Sequence, residues 1–341
     1  MQLSKYMALV SRYKLPLMGV CIFTVVFAHS GILIFGPASY VKLGVWCMDV
    51  FFFLSGMGAH FSLSKNNDTA QFLKRRFNRI YIPYFPIIIL YFIIIGADTV
   101  LRCGAPETLR MLFGNLTMLG WICGMDCQYN WYPQAVALVY LITPVVFALV
   151  KKAGDEPKKL IYLLLFVCLV QPCFFGTCCL IVSSRFISFM LGMTACELVK
   201  RGIDLKLNVP FILILWVAGH FLSYLGMGAS QDTVWRYGVQ WLPGSLSVLG
   251  NMLIFCMFFE LIEKLRSLRF IMALNNAAGR YSYEILLVQL LLYMLVPKLN
   301  IKAMKTPGAL NVLLWIPVMA ITVFIGVIYG KLIEKLRKKN K

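Results

Sequence analysis

The chain is poor in acid. Its 341 residues include 14 aspartates and glutamates against 33 lysines and arginines, with only three histidines. Charged residues of both signs make up 14% of the sequence, while 60% is hydrophobic and the mean hydropathy is +0.78. So large an apolar share cannot be hidden in one soluble core, and composition alone makes this an integral membrane protein. Long polar loops are missing too. No segment between apolar runs exceeds about thirty residues, which leaves no room for a separate soluble domain and makes 1–341 one transmembrane domain. There is no repeat of fixed period and no low-complexity tract. No small-residue cleavage site closes the first apolar run, which therefore reads as a full span and not as a signal peptide.

What is present is a series of apolar runs near the ~20 residues that cross a hydrocarbon layer of ~30 Å. Ten are expected, at 15–35, 43–63, 80–97, 129–150, 160–178, 180–199, 208–228, 239–262, 281–297 and 310–331. The stretch 108–123 is apolar but short and interrupted by Gly114, Asn115 and Gly120, and reads as an interfacial or re-entrant segment. The expected class is therefore an all-α integral membrane protein of about ten transmembrane helices. With the N-terminus in the cytoplasm, 25 of the lysines and arginines fall in inner segments and 7 in outer ones, leaving Arg185 inside a span. That bias puts both termini in the cytoplasm. It also removes nucleic acid as a partner, because the net charge of +19 is shared among short segments and not gathered into one stripe.

Most of the eleven cysteines lie in apolar runs, where a free thiol behaves as a small hydrophobe. Cys123 and Cys127 have no neighbouring histidine and do not fit zinc-ligand spacing, so no metal is expected. An outer-face disulfide among Cys103, Cys123, Cys127, Cys173, Cys178 and Cys179 is compatible with an oxidising exterior.

Ionisable residues inside the runs carry more weight, since a charge near the bilayer centre costs at least ~2.5–3.5 kcal/mol on insertion scales. His29 lies six residues from the outer end of the first run, about 9 Å down at the rise of a helix. Asp49 and Arg185 lie at similar depth in the second and sixth runs. Three polar groups from three helices thus share one layer, either as a reactive site or, for Asp49 and Arg185, as a packing ion pair. His60, Glu284 and His220 read as structural. The run FFFLSG at 51–56 also has a packing reading, because Ser55, Gly56 and Gly58 let helices approach closely. Further along, Lys74, Arg75, Arg76 and Arg79 stand where the positive-inside bias would place basic residues, with anionic lipid as their partner. Arg76 and Arg79 would share a helix face, which also suits them to chelating phosphates.

In order and spacing, six pieces resemble the membrane-bound acyltransferase family 3. They are VVFAHS at 25–30, MDVFFFLSG at 48–56, FLKRRFNRIYIPY at 72–84, WYPQAVALVYLITPVV at 131–146, RFISFMLGM at 185–193 and GRYSYEILLVQL at 279–290. The resemblance covers almost the whole chain. It implies an O-acyltransferase that moves an acyl group, acetyl by expectation, from cytoplasmic acyl-CoA to a hydroxyl of a surface or exported glycan. It assigns His29 as the catalytic base, with Asp49 beside it in the catalytic group. Arg76 and Arg79, with Lys14, would hold the phosphates of acyl-CoA, a donor substrate and not a bound cofactor. Arg185, Ser55, Tyr283 and Gln289 would contact the acceptor or serve as structural polar groups. Two positions depart from the family pattern: Met18 stands where arginine is frequent, and Gln289 where histidine is common. An acyl-histidine intermediate stays open beside general-base catalysis, oligomerisation is compatible with the sequence, and a transporter or flippase of a small or lipid-linked substrate is the alternative class.

Overall fold

A computed structural model of the chain describes residues 1–30, 45–123, 131–174, 177, 179–225, 242–304, 306 and 308–339. Among these residues the backbone is helical, without a β-strand; an isolated bridge joins Gln2 to Lys206. The helices are α1 (Leu3–Arg12), α2 (Lys14–Ala28), α3 (Val45–Lys65), α4 (Thr69–Cys103), α5 (Ala105–Leu116), α6 (Trp131–Ala153), α7 (Pro157–Val170), α8 (Leu180–Lys200), α9 (Val209–Leu225), α10 (Leu242–Lys264), α11 (Arg269–Arg280), α12 (Ser282–Leu295) and α13 (Ala309–Lys339). Six are long and apolar enough to cross a membrane: α4, α6, α7 with the 3-10 turn that extends it, α8, α10 and α13. A seventh span results if α1 and α2, bent by 67° at Tyr13, are taken together. The apolar helices α9 and α12 are shorter. On the periphery, α7 and α13 leave most of their apolar surface exposed, as lipid contact requires, whereas α8 is mostly buried.

Small residues decide which helices meet at the centre. A methyl group on Gly56 of α3 would overlap the carbonyl of Phe189 on α8, and one on Gly192 of α8 would overlap the carbonyl of Phe53 on α3. The two helices therefore cross with their backbones in contact, as packing in lipid favours. A second such crossing joins α2 to α11, where Gly19 abuts the carbonyl of Asn275 and Gly279 that of Leu15. These two locked pairs frame the interior.

The basic stretch 74–79 was expected ahead of a span beginning near residue 80. It lies instead on the first turns of α4, a single helix of 35 residues. Asp68 starts that helix by accepting the backbone N–H of Gln71 at 2.9 Å, and lysine and arginine are good helix formers that do not interrupt it. Pro83 lacks the N–H that would bond the carbonyl of Arg79. That carbonyl is taken by the guanidinium of Arg337 on α13, at 2.9 Å. The stretch 108–123 forms the short helix α5 and the turns after it, tied to α4 by the hydroxyl of Tyr84, which donates to the carbonyl of Asn115 at 3.2 Å.

At the end of the chain where α1 begins, Ser4 donates its N–H and its hydroxyl to the carboxylate of Asp204, each at 2.8 Å. Those bonds hold the Asp204 carboxyl below its ordinary range. Of the outer cysteines, Cys103, Cys123, Cys173 and Cys179 are free thiols, while Cys127 and Cys178 lie outside the described residues.

Candidate active site

A cavity of about 310 Å³ opens between α2, α3, α4, α6, α11 and α12. Its two ends differ in chemistry. One is cationic, with Lys14 from α2, Arg76 and Arg79 from α4 and Arg280 from α11; the other narrows among Met18, Ile22, Met48, Phe51, Tyr132 and Leu286.

Arg76 is held firmly. It donates to the carbonyl of Gly58 at 2.7 Å, and its guanidinium lies over the rings of Phe72 and Tyr140, 5.3 and 4.9 Å from their centroids. A methyl on Gly58 would sit in ordinary contact with both Arg76 Nη2 and Lys14 Nζ, so the two cations converge on this one glycine. Neither forms an ion pair with a carboxylate among the described residues. Arg79, half exposed, stands 3.7 Å from the buried carboxylate of Glu284, and Arg280 pairs with Glu334 at 2.8 Å. Met18 lines the wall one turn beyond Lys14, so the cationic end draws its α2 charge from Lys14 alone. Ser55 and Tyr283 also line the cavity, with the Tyr283 hydroxyl donating to the carbonyl of Ile80 at 3.1 Å.

His29 closes the far end of α2, seven residues or about 10 Å beyond Ile22. Its Nδ1 meets the side-chain amide of Gln289 at 2.7 Å. Its Nε2 has no partner among the described residues, and the residue is exposed.

Asp49, expected beside His29, directs its hydrogen bonds to α8 and α10 and makes none to His29. It is wholly buried and faces Arg185, whose Nη1 donates to Oδ2 at 2.7 Å; Ser188 and Ser245 donate to Oδ1 at 2.7 and 3.0 Å. Gly244 is small because a methyl there would overlap Oδ2. Three donors thus engage the carboxylate in a buried ion pair, and the partner of His29 is Gln289. Among the structural histidines, His60 contacts Glu197 at 2.7 Å, and Glu197 in turn bonds Arg201; His220 shares the Asn251 carbonyl with Trp216. Arg280 and the Tyr140 ring carry no expected role, although both lie inside motifs that carry the resemblance.

Compared with known proteins, residues 17–331 match the sequence model of the acyltransferase domain of family 3. The chain belongs to acyltransferase family 3. The match runs from the first turn of α2 through most of α13 and includes His29, Arg76, Arg79, Arg280 and Gln289; Lys14 lies just ahead of it. Searches of curated proteins and of solved structures returned no match. Membership makes this an acyltransferase in general terms, and the apolar helices embed that family 3 domain in a membrane.

Proposed function

We infer that this family 3 protein is an O-acyltransferase of the plasma membrane, with about ten spans and both termini in the cytoplasm. It takes acetyl from cytoplasmic acetyl-CoA and delivers it to a hydroxyl of a cell-surface or exported glycan. The observation that carries this reading is the convergence of Lys14 and Arg76 on Gly58, with no ion-paired carboxylate for either among the described residues. Two partly buried cations repel each other, and a polyanion such as the phosphates of acetyl-CoA supplies the missing charge. Arg76 and its stacking rings form the preset part of the cradle, and Arg79 the exposed part. From there the apolar walls along α2 lead the pantetheine arm toward His29.

At that end the acceptor hydroxyl attacks the thioester carbonyl carbon as its proton passes to His29 Nε2. The carbon–sulfur bond breaks, the acetyl ester forms, and the proton on the imidazolium returns to the departing thiolate to give free CoA. Arg185 and Asp49 act through the shape of the helix bundle, since they satisfy each other.

The test pairs two measurements on His29→Ala. Acetyl-CoA binding by the purified protein stays at the wild-type level, while mass spectrometry finds the surface glycan of cells carrying the variant without its acetyl groups. A variant that inserts normally and leaves the glycan fully acetylated rules the mechanism out. Consumption of the thioester on adding acetyl-CoA separates this reading from a transporter.

A further inference from the structure

His29 and Gln289 are 260 positions apart in the chain, and helices α2 and α12 bring them to 2.7 Å. The glutamine is buried, and the packing of its helix on α2 is fixed nearby. Gln289 is 1% exposed, and one turn further along the same face of α12 the Tyr293 hydroxyl donates to the carbonyl of Val26 at 2.9 Å, fixing the register of the two helices. The remaining corner of the amide, Oε1, is buried with no partner among the described residues.

A primary amide is an acceptor at one corner and a donor at the other, and a neutral imidazole places its proton according to the corner it meets. With the glutamine Nε2 facing the ring, Nδ1 accepts and the ring proton sits on the histidine Nε2, which then has no lone pair for a substrate proton. A half-turn about the glutamine Cγ–Cδ bond brings Oε1 to the same place. Oε1 accepts from Nδ1–H, and the histidine Nε2 is free. Once a hydroxyl proton arrives there, both ring nitrogens are donors, and only Oε1 can face Nδ1.

We propose that Gln289 is the positioning residue that sets the tautomer of His29, and that a half-turn of its amide switches the ring between a proton-bearing and a base-competent Nε2. The second corner of the amide has no partner among the described residues, so their hydrogen bonds do not choose between the two orientations. The choice falls to the ring and to whatever binds beside it. A neutral amide also serves both forms of the ring without adding a charge beside it. The proposal rests on reading His29 as the general base and adds control over when it is competent.

The three histidines of the chain make the test direct. Nitrogen-15 NMR of full-length, histidine-labelled protein in lipid bilayers reports which ring nitrogen carries the proton, and the difference spectrum with His29→Ala assigns the signal. Gln289→Glu, with oxygen at both corners, is expected to put the His29 proton on Nδ1; Gln289→Met is expected to release the ring from that control. In acetyl transfer, Gln289→Met should lower kcat about 10- to 100-fold, as loss of an orienting partner does for other functional histidines, with KM for acetyl-CoA unchanged. Gln289→Glu should restore kcat to within a few-fold of wild type. Identical His29 signals in wild type and both variants overturn the proposal, as does a folded Gln289→Glu as slow as Gln289→Met. Persistent acetylation by His29→Ala would instead sink the general-base reading, and the tautomer result would still stand or fall by its own spectra.

Discussion

Two charged clusters lie within the same bundle and are built on opposite plans. Around Asp49, the guanidinium of Arg185 and the hydroxyls of Ser188 and Ser245 engage both carboxylate oxygens, so the protein itself supplies the opposite charge. Around Gly58, Lys14 and Arg76 face the same cavity with no acidic partner among the described residues. Burial of charge is common to both, so burial does not mark function. What separates them is whether the protein completes the cluster itself. A completed cluster is architecture, and an incomplete one leaves a place for a ligand of opposite charge.

The sharpest way to break this comparison is to remove one charge from each side. Arg185→Met strands the Asp49 carboxylate in the interior, and loss of one partner of a buried pair typically costs about 3–5 kcal/mol. Thermal unfolding in detergent should show a large drop that the Arg185→Met/Asp49→Leu double variant largely recovers. An Arg185→Met protein as stable as wild type would refute the architectural role. On the other side, Lys14→Gln should leave the melting temperature near wild type and weaken acetyl-CoA binding by about tenfold or more, the equivalent of one charge-assisted hydrogen bond of about 1.5–3 kcal/mol. Calorimetric titration with acetyl-CoA checks this, and unchanged affinity would return the cluster to a lipid-anchoring role.

Next in size is the glycine framework. Gly192→Val forces α8 off the carbonyl of Phe53, at a cost of about 1–3 kcal/mol for overpacking. Gly58→Ala meets only ordinary contacts and should be near neutral in the same unfolding assay. The smallest effect is at Asp204. Its carboxyl is held low by Ser4, so its contribution to stability is complete above the ordinary unfolded value of about 3.9 and disappears as pH falls through the lower folded value. The melting-temperature difference between wild type and Asp204→Asn should therefore be constant at neutral pH and vanish in acid. A difference that persists in strong acid would mean that Ser4 does not distinguish the charged carboxylate.

Much of the architecture was legible beforehand because lipid imposes simple rules. Apolar runs of span length became helices, and the small residues of FFFLSG became a backbone contact, since close packing in a bilayer requires them. The reach of α4 was less legible: a fall in hydropathy at KRRFNR reads as an exit from the membrane, but hydropathy does not report helix propensity, which runs unbroken through lysine and arginine. The site was legible in its residue types and not in its pairings. His29, Asp49 and Arg185 were placed at one depth from helix rise, yet depth carries no rotation about a helix axis. Which of them met which depended on side-chain direction across positions 136 and 260 apart. Gln289 stood out only as a departure from the family pattern; its contact with His29 comes from the packing of α12 on α2.

The glycine crossings also limit how the cavity can widen. Helices α3 and α8 touch backbone to backbone, as do α2 and α11, so neither pair can slide without separating. The wall formed by α4 is different. Pro83 and Pro86 each remove a rung of its hydrogen-bond ladder just beyond Arg79, and the freed Arg79 carbonyl hangs on a side chain of α13. Two sides of the chamber are thus rigid and the third carries a weakened joint beside its entrance. Any widening of the chamber is therefore easiest at that joint, where α4 can bend with the least loss of helical bonding.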